Sequence, residues 1–206
     1  MTSVPTRNKI YAIVEGRGEQ TAVPILLGRL LAELNCWTLF PARKQPYKMN
    51  SYGAFFRPNR LEDVVRLHES YLDCAALLIL LDMDDDCPQE KAFILTERIQ
   101  QLRPLPFSVV VVCAKCEYEA WFLASLETIE PSETFADDPE AIRDAKGWLK
   151  RRFGYRPTQD QGSYTRAIDF SLAQTRSRSF CRLYHAAEEI IMAHENGRFI
   201  LTPTSS

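Results

Sequence analysis

Histidine is scarce in this sequence. Of 206 residues only His68, His185 and His194 are histidine, and none has a metal-binding spacing such as HExxH. They read as ordinary helix residues, and a zincin-type site is excluded. Long hydrophobic runs are missing too, since no uninterrupted stretch approaches the roughly 20 residues of a membrane span. The opening "MTSVPTRNK" has no apolar core, which excludes a secretory signal. An excess of one charge is absent as well. With 25 Lys and Arg against 27 Asp and Glu the net charge is -2, so the overall balance names no partner. Six scattered cysteines, Cys36, Cys74, Cys87, Cys113, Cys116 and Cys181, fit a reducing cytoplasm better than a disulfide scaffold. The pair Cys113-Ala-Lys-Cys116 lacks a second pair that would complete a zinc site, and the rest of a thioredoxin pattern is missing; two reduced, partly buried thiols are the simpler account.

Alternating apolar segments are abundant. "KIYAIV", Lys9 to Val14, reads as a strand, and Glu19 to Leu34 as an amphipathic helix with Pro24 tolerated only near its first turn. "CWTLF" reads as a second strand, residues 41 to 59 as an irregular loop, and Arg60 to Leu72 as a helix. Ala75 to Leu81 is wholly apolar, as a strand covered on both faces should be. A helix over Gln89 to Leu102, a strand "SVVVVCA" and a helix from about Glu117 to Leu126 follow. This alternation predicts an α/β fold, a Rossmann-like three-layer sandwich around a mainly parallel sheet of about four strands. Residues 1–126 would form that core. Residues 127–206 would be a basic helical extension packed on it in a single compact domain, with short-helix character near Ala141 to Phe153, a closing helix "SFCRLYHAAEEIIMAH" and a loose tail "LTPTSS".

Acids end three of the strands. The first runs into Glu15, with Glu19 a helical turn later. The third runs into Asp82, Asp84, Asp85 and Asp86, and the fourth into Glu117 and Glu119. In open parallel sheets ligands bind beyond the carboxyl ends of the strands. Carboxylates gathered there without histidine suit a hard cation such as Mg²⁺. Asp82 and Asp84, spaced by one, can leave the strand end on the same side. An EF-hand loop is rejected, because Cys87 stands where its glycine belongs and Phe93 where its bidentate glutamate belongs. "EGRGEQ" lacks the third glycine of a dinucleotide fingerprint and the Lys-Ser/Thr of a P-loop. A haloacid-dehalogenase-type phosphatase carries its Asp-x-Asp on the first strand, whereas here a complete βα unit precedes it. A solvated loop, with Asp85 or Asp86 capping a helix that starts at Pro88, accounts for one of those two residues but not for Asp82.

An apolar strand ending in Glu-Gly, a helix, then an apolar strand ending in Asp-x-Asp resembles the Toprim domain of topoisomerases, primases and overcoming-lysogenization-defect (OLD) nucleases. The residues are "IVEGRGEQTAVPILL" and "LLILLDMDDD". "CEYEAWFLAS" and "SRSFCRLYHAAEEI" resemble a compact bacterial Toprim-like family of unknown function, often encoded beside AAA or ABC-type ATPases in settings that suggest phage or plasmid defence. The resemblance implies Glu15 as acid–base or metal-binding glutamate and Asp82 and Asp84 as metal ligands. It further implies Glu19 as the second glutamate of OLD-like members, Glu119 as a second metal position, and Asp86 as the third aspartate of the longer pattern, although the glycine that usually follows is missing.

The implied chemistry is phosphodiester hydrolysis of nucleic acid with Mg²⁺, or Mn²⁺ in its place, by catalytic residues Glu15, Asp82 and Asp84. Crowded carboxylates raise one another's pKa without metal, so affinity should fall at acid pH. Between Arg143 and Arg182 there are ten Lys or Arg and three Asp or Glu. Lys146, Lys150, Arg151, Arg152, Arg176 and Arg178 are therefore candidate nucleic-acid contacts, with a solvated helix face as the alternative. Tyr47, Tyr52, Phe55 and Phe56, interleaved with Lys44, Lys48, Arg57 and Arg60, have the composition of a base-stacking surface, or of one packed on a partner or the core. A cytoplasmic nuclease directed by an ATPase partner is the first expectation, and a homodimer is compatible with it. A non-catalytic partner or sensor module, and a phosphatase or nucleotidyl-transfer enzyme using the same acids, are the alternatives.

Overall fold

The computed structural model describes residues 6–102 and 104–203. Strand β1 (Lys9–Val14) leads through Gly16 into helix α1 (Arg17–Glu33). The chain returns as two-residue strands β2 (Phe40–Pro41) and β3 (Tyr47–Lys48), then helices α2 (Tyr52–Phe56) and α3 (Arg60–Leu67). A 3-10 turn at His68–Ser70 delivers it to β4 (Cys74–Asp82), which is followed by α4 (Pro88–Gln100) and β5 (Ser108–Ala114). Short helices α5 (Ala120–Leu123) and α6 (Leu126–Ile129) come next. Then come α7 (Ala145–Phe153), α8 (Pro157–Ala167), α9 (Phe170–Arg176), α10 (Arg178–Glu195) and the two-residue strand β6 (Leu201–Thr202).

All pairings in the sheet are parallel, in the order β2-β1-β4-β5-β6, with β3 pairing the far end of β1. Period-two alternation decides which helices cover which face. Ala76, Leu78, Leu80, Val110 and Val112 face a core shared with α1, α5, α7 and α10. Leu77, Ile79, Leu81, Val109 and Val111 face a second core under α2, α3 and α4. This is the expected three-layer α/β sandwich. Each fully buried Leu or Ile contributes about 1.5–3 kcal/mol, which is why Asp82 stands at the last position of β4 and Ser108 at the first of β5, with Leu, Ile, Val, Ala and Cys filling the rest of both strands.

Several boundaries differ from expectation. The sheet has six strands rather than about four, because β3 and β6 are short pieces recruited by pairing alone. Only Phe40 of "CWTLF" is strand, and Trp37 is 69% exposed. Pro24 lies in the interior of α1, not its first turn, since the helix begins at Arg17. Leu201 and Thr202 of the expected loose tail form β6, held by the pairing Val109↔Leu201; residues 204–206 lie outside the described residues. Helix α4 starts at Pro88 as expected. Its N-cap, however, is Cys87 with no side-chain hydrogen bond, so neither Asp85 nor Asp86 caps it.

Candidate metal and acid centre

Parallel strands deliver their exits to one edge, and the acids are there. Glu15 follows β1 directly, Asp82 ends β4, and Glu117 and Glu119 follow β5. Glu19 sits in the first turn of α1, where its Oε2 accepts the Gly16 N–H at 2.9 Å and closes the helix start. Asp82 Oδ1 accepts the Tyr118 N–H at 2.9 Å, which ties the end of β4 to the turn after β5. Backbone bonds from Met83 N to Ala114 O and from Asp84 N to Cys116 O, at 3.0 and 3.1 Å, hold the acidic loop to the same turn. Asp84 itself is exposed and left-handed, with φ +44°, a region Asp enters more readily than most residues.

These carboxyls act on one another. Burial pushes Glu15 up, the Tyr52 amide pulls it down, and the charges of Glu19 and Asp84 add to the rise. Asp82 stands well above the usual carboxylate range, first through burial and then through Glu119 and Glu19, with Glu15 adding and Lys146 opposing. Glu119 is fully buried and rises to about 7, chiefly by burial, against the pull of Lys146. Its Oε1 accepts the Tyr155 hydroxyl at 3.0 Å, while Oε2 lies 3.7 Å from Lys146 Nζ with no hydrogen bond.

Lys146 is the cation of this cluster. Its backbone N–H donates to Glu117 Oε2 at 2.9 Å and its ammonium lies 3.6 Å from Glu117 Oε1. Burial works against its charge, but Glu119, Asp82, Glu117 and Glu19 together hold its pKa above the ordinary lysine value. The sequence placed Lys146 on a phosphate-contacting surface; the structure turns it inward at the acids. No signal in the sequence pointed to Lys146 or Tyr155 as neighbours of Glu119, since both arrive from a region without strand rhythm. Among the other candidate contacts, Arg176 is half-buried and donates from one guanidinium nitrogen to both carboxylate oxygens of Glu127, at 2.7 and 2.8 Å. Arg151 and Arg152 pair with Asp144 and Glu133 at the surface. The side chains of Lys150 and Arg178 are exposed and make no hydrogen bond or ion pair among the described residues. Phe55 is buried in the core; Tyr52 bonds through its hydroxyl to Asp86.

A divalent ion is a testable occupant of this edge. Glu15 Oε2 is buried and has no hydrogen-bond partner, the condition of an oxygen that a cation would satisfy. The donors are all carboxylate oxygens, as hard cations require. Among the described residues, though, no three His, Cys, Asp or Glu side chains gather closely enough to hold an ion by themselves. Mg²⁺ tolerates that arrangement, because it is commonly held by one or two carboxylates, retained waters and substrate phosphate. Glu15, Asp82 and Asp84 fit such a partial site. Asp86 is otherwise engaged, with Tyr52 and with Lys91 at 3.5 Å. Cys113 and Cys116 are buried free thiols.

The Glu119 carboxyl makes stability pH-dependent. Its folded pKa, about 7, exceeds its ordinary 4.5, so its protonated form is favoured by folding. The corresponding stabilisation is complete below 4.5 and disappears as pH rises towards 7, by up to about 3 kcal/mol. In metal-free buffer, the stability of the wild type relative to Glu119→Gln should fall across that window in urea titrations. A difference that is flat with pH would remove Glu119 from the cluster.

Comparison with known proteins adds the following. None of the curated proteins matches this chain. The C-terminal region of the Burkholderia pseudomallei OLD protein is similar at 18% identity and a TM-score of 0.46, over 92% of this chain and 98% of that one. That of the Xanthomonas campestris pv. campestris OLD protein is similar at 16% identity and a TM-score of 0.43, over 93% and 97%. No helix among the described residues is long and apolar enough to cross a membrane. The match of one family model, a domain of unknown function (DUF4276), starts at the last residue of β1 and ends within α10, covering residues 14–187; the chain belongs to that family.

Proposed function

We propose that this protein is a Toprim-type, Mg²⁺-dependent phosphodiesterase that hydrolyses nucleic acid. The observation that carries the proposal is the donorless, buried Oε2 of Glu15 on the same sheet edge as Asp82 and Asp84. Glu15, Asp82 and Asp84 would hold the ion, which when bound polarises a phosphodiester and acidifies a bound water. The chain's own residues do the rest. Tyr118 N–H fixes the Asp82 carboxylate. Burial raises the Glu15 pKa, so the side chain favours its protonated form until an ion at Oε2 replaces the proton. Lys146 balances Glu117 and Glu119, which lowers the repulsion that a phosphate would meet at this edge. Lys150 and Arg178, without an ion pair among the described residues, are candidates to contact backbone phosphates. Arg151 and Arg152 can join them, since surface pairs like theirs are worth only about 0–1 kcal/mol. An ATPase partner, a cytoplasmic location and a role in phage or plasmid defence rest on the motif resemblance alone.

One observation favours a second reading. The lack of three converged ligands among the described residues, with a lysine already placed among the acids, suits a non-catalytic module that has kept the fold. The test is cleavage of single-stranded and duplex DNA and RNA by the purified chain with Mg²⁺, Mn²⁺ or a chelator. Cutting with metal and none with chelator is expected. No cutting of any substrate, alone or with ATP and an ATPase partner, leaves the second reading. Hydrolysis of a phosphate monoester but not of a diester would reassign the acids to a phosphatase.

A further inference from the structure

The end of the sheet opposite the acids has its own character. In a parallel sheet every strand begins at one edge, here called the amino edge. The exposed large apolar side chains among the described residues all lie there or in the helix ends leading there. Trp37 and Phe40 precede or open β2, Leu67 and Leu72 precede β4, and Met192 and Phe199 precede β6. They are spread along this edge from β2 to β6, and Met192 and Phe199 flank the turn after α10.

The turn after α10 adds charge to the patch. Gly197, left-handed at φ +60°, reverses the chain, with Gly197 N bonded to His194 O and Arg198 N to Ala193 O. Beside it is a cleft of about 210 Å³ lined by Arg7, Ala75, His194, Gly197, Arg198 and Phe199. Met192 and Glu195 lie one turn apart on one helix face, immediately before this cleft. Both Glu195 and Arg198 are exposed, and neither side chain makes a hydrogen bond or ion pair among the described residues. Apolar Met192 and Phe199, 56% and 54% exposed, thus bracket one acid and one guanidinium that are free among the described residues. Such a patch is complementary to itself. A two-fold axis that sets Glu195 against Arg198 does so twice, because in an isologous contact residue i meets j and j meets i.

We infer that the amino edge is a homodimer interface, in which a second copy of this chain covers Met192 and Phe199 and pairs Glu195 with Arg198 across the axis. The interface leaves the acids of both copies open on opposite outer ends.

Sedimentation equilibrium of the full chain from low micromolar to near-millimolar concentration tests this. A mass of two chains is expected. Glu195→Arg and Arg198→Glu should each weaken association at least about tenfold, and the double exchange E195R/R198E should restore it. All three changes are on exposed side chains, and circular dichroism checks that folding is retained. A single-chain mass throughout, or a dimer indifferent to both single changes and to Met192→Asp, overturns the inference; the former assigns the patch to an unrelated protein.

Discussion

Asp82→Asn should abolish metal-dependent cleavage while leaving the protein at least as stable as the wild type. Loss of a ligand carboxylate is expected to cost about 10³-fold in rate, or about 4 kcal/mol of barrier. Stability should move the other way. Burial and the charges of Glu119, Glu19 and Glu15 raise the Asp82 pKa, so folding favours its protonated form. Above the ordinary carboxylate range, where the unfolded chain carries Asp82 ionised, the native carboxylate is therefore a destabilising charge. Asparagine removes that charge and keeps an oxygen for the Tyr118 N–H. Activity assays and thermal melts at pH 8 in chelator read the two effects separately. Robust cutting by the variant would sink the site assignment. Loss of cutting together with a lowered melting temperature would show Asp82 to be structural.

The second large effect belongs to Lys146→Met. The substitution keeps an unbranched side chain one heavy atom shorter and deletes its charge, leaving Glu119 at 0% exposure without a cation. Breaking a buried pair from one side costs about 3 kcal/mol, which for a chain of this size is roughly 6–12 °C in melting temperature. Two further measurements separate this from simple loss of packing. Adding Glu119→Gln should recover most of the loss, because the stranded charge goes with it. Lowering the pH below the Glu119 pKa of about 7 should do the same by protonation. A loss that persists in the double variant and at pH 5 would mean that the lysine acts through its methylenes.

The layers and the acids were legible in the sequence for one reason. β4 and β5 are covered on both faces, so their residues had to be apolar throughout, and an acid after such a run stands out. Ser108–Ala114 was placed to the residue. What escaped was whatever depends on distant partners. β3 and β6 have two residues each and exist only because β1 and β5 offer open edges. Tyr155 reaches Glu119 across 36 positions. Lys146 looked like one more member of a basic run, because sequence reports its charge but not the direction in which α7 turns it. Helix α8 escaped since "TQDQGSYTRA" has little apolar periodicity, and α9 since its seven residues are too few to show one. α8 is held by its contact with α1, where Gly162 sits close to Ile25 and Thr21.

β6 has a consequence for biosynthesis. Its partner β5 leaves the ribosome some ninety residues earlier, as the bond from Ile200 N to Ser108 Oγ spans 92 positions. At about 5–20 residues per second, the flank of β5 at Val109 and Val110, which β6 covers, remains uncapped for on the order of ten seconds. During that interval "SVVVVCA" is an unsatisfied, valine-rich template that another nascent chain can zip onto. Crowded polysomes and high-level expression are therefore where this protein should be most prone to clump.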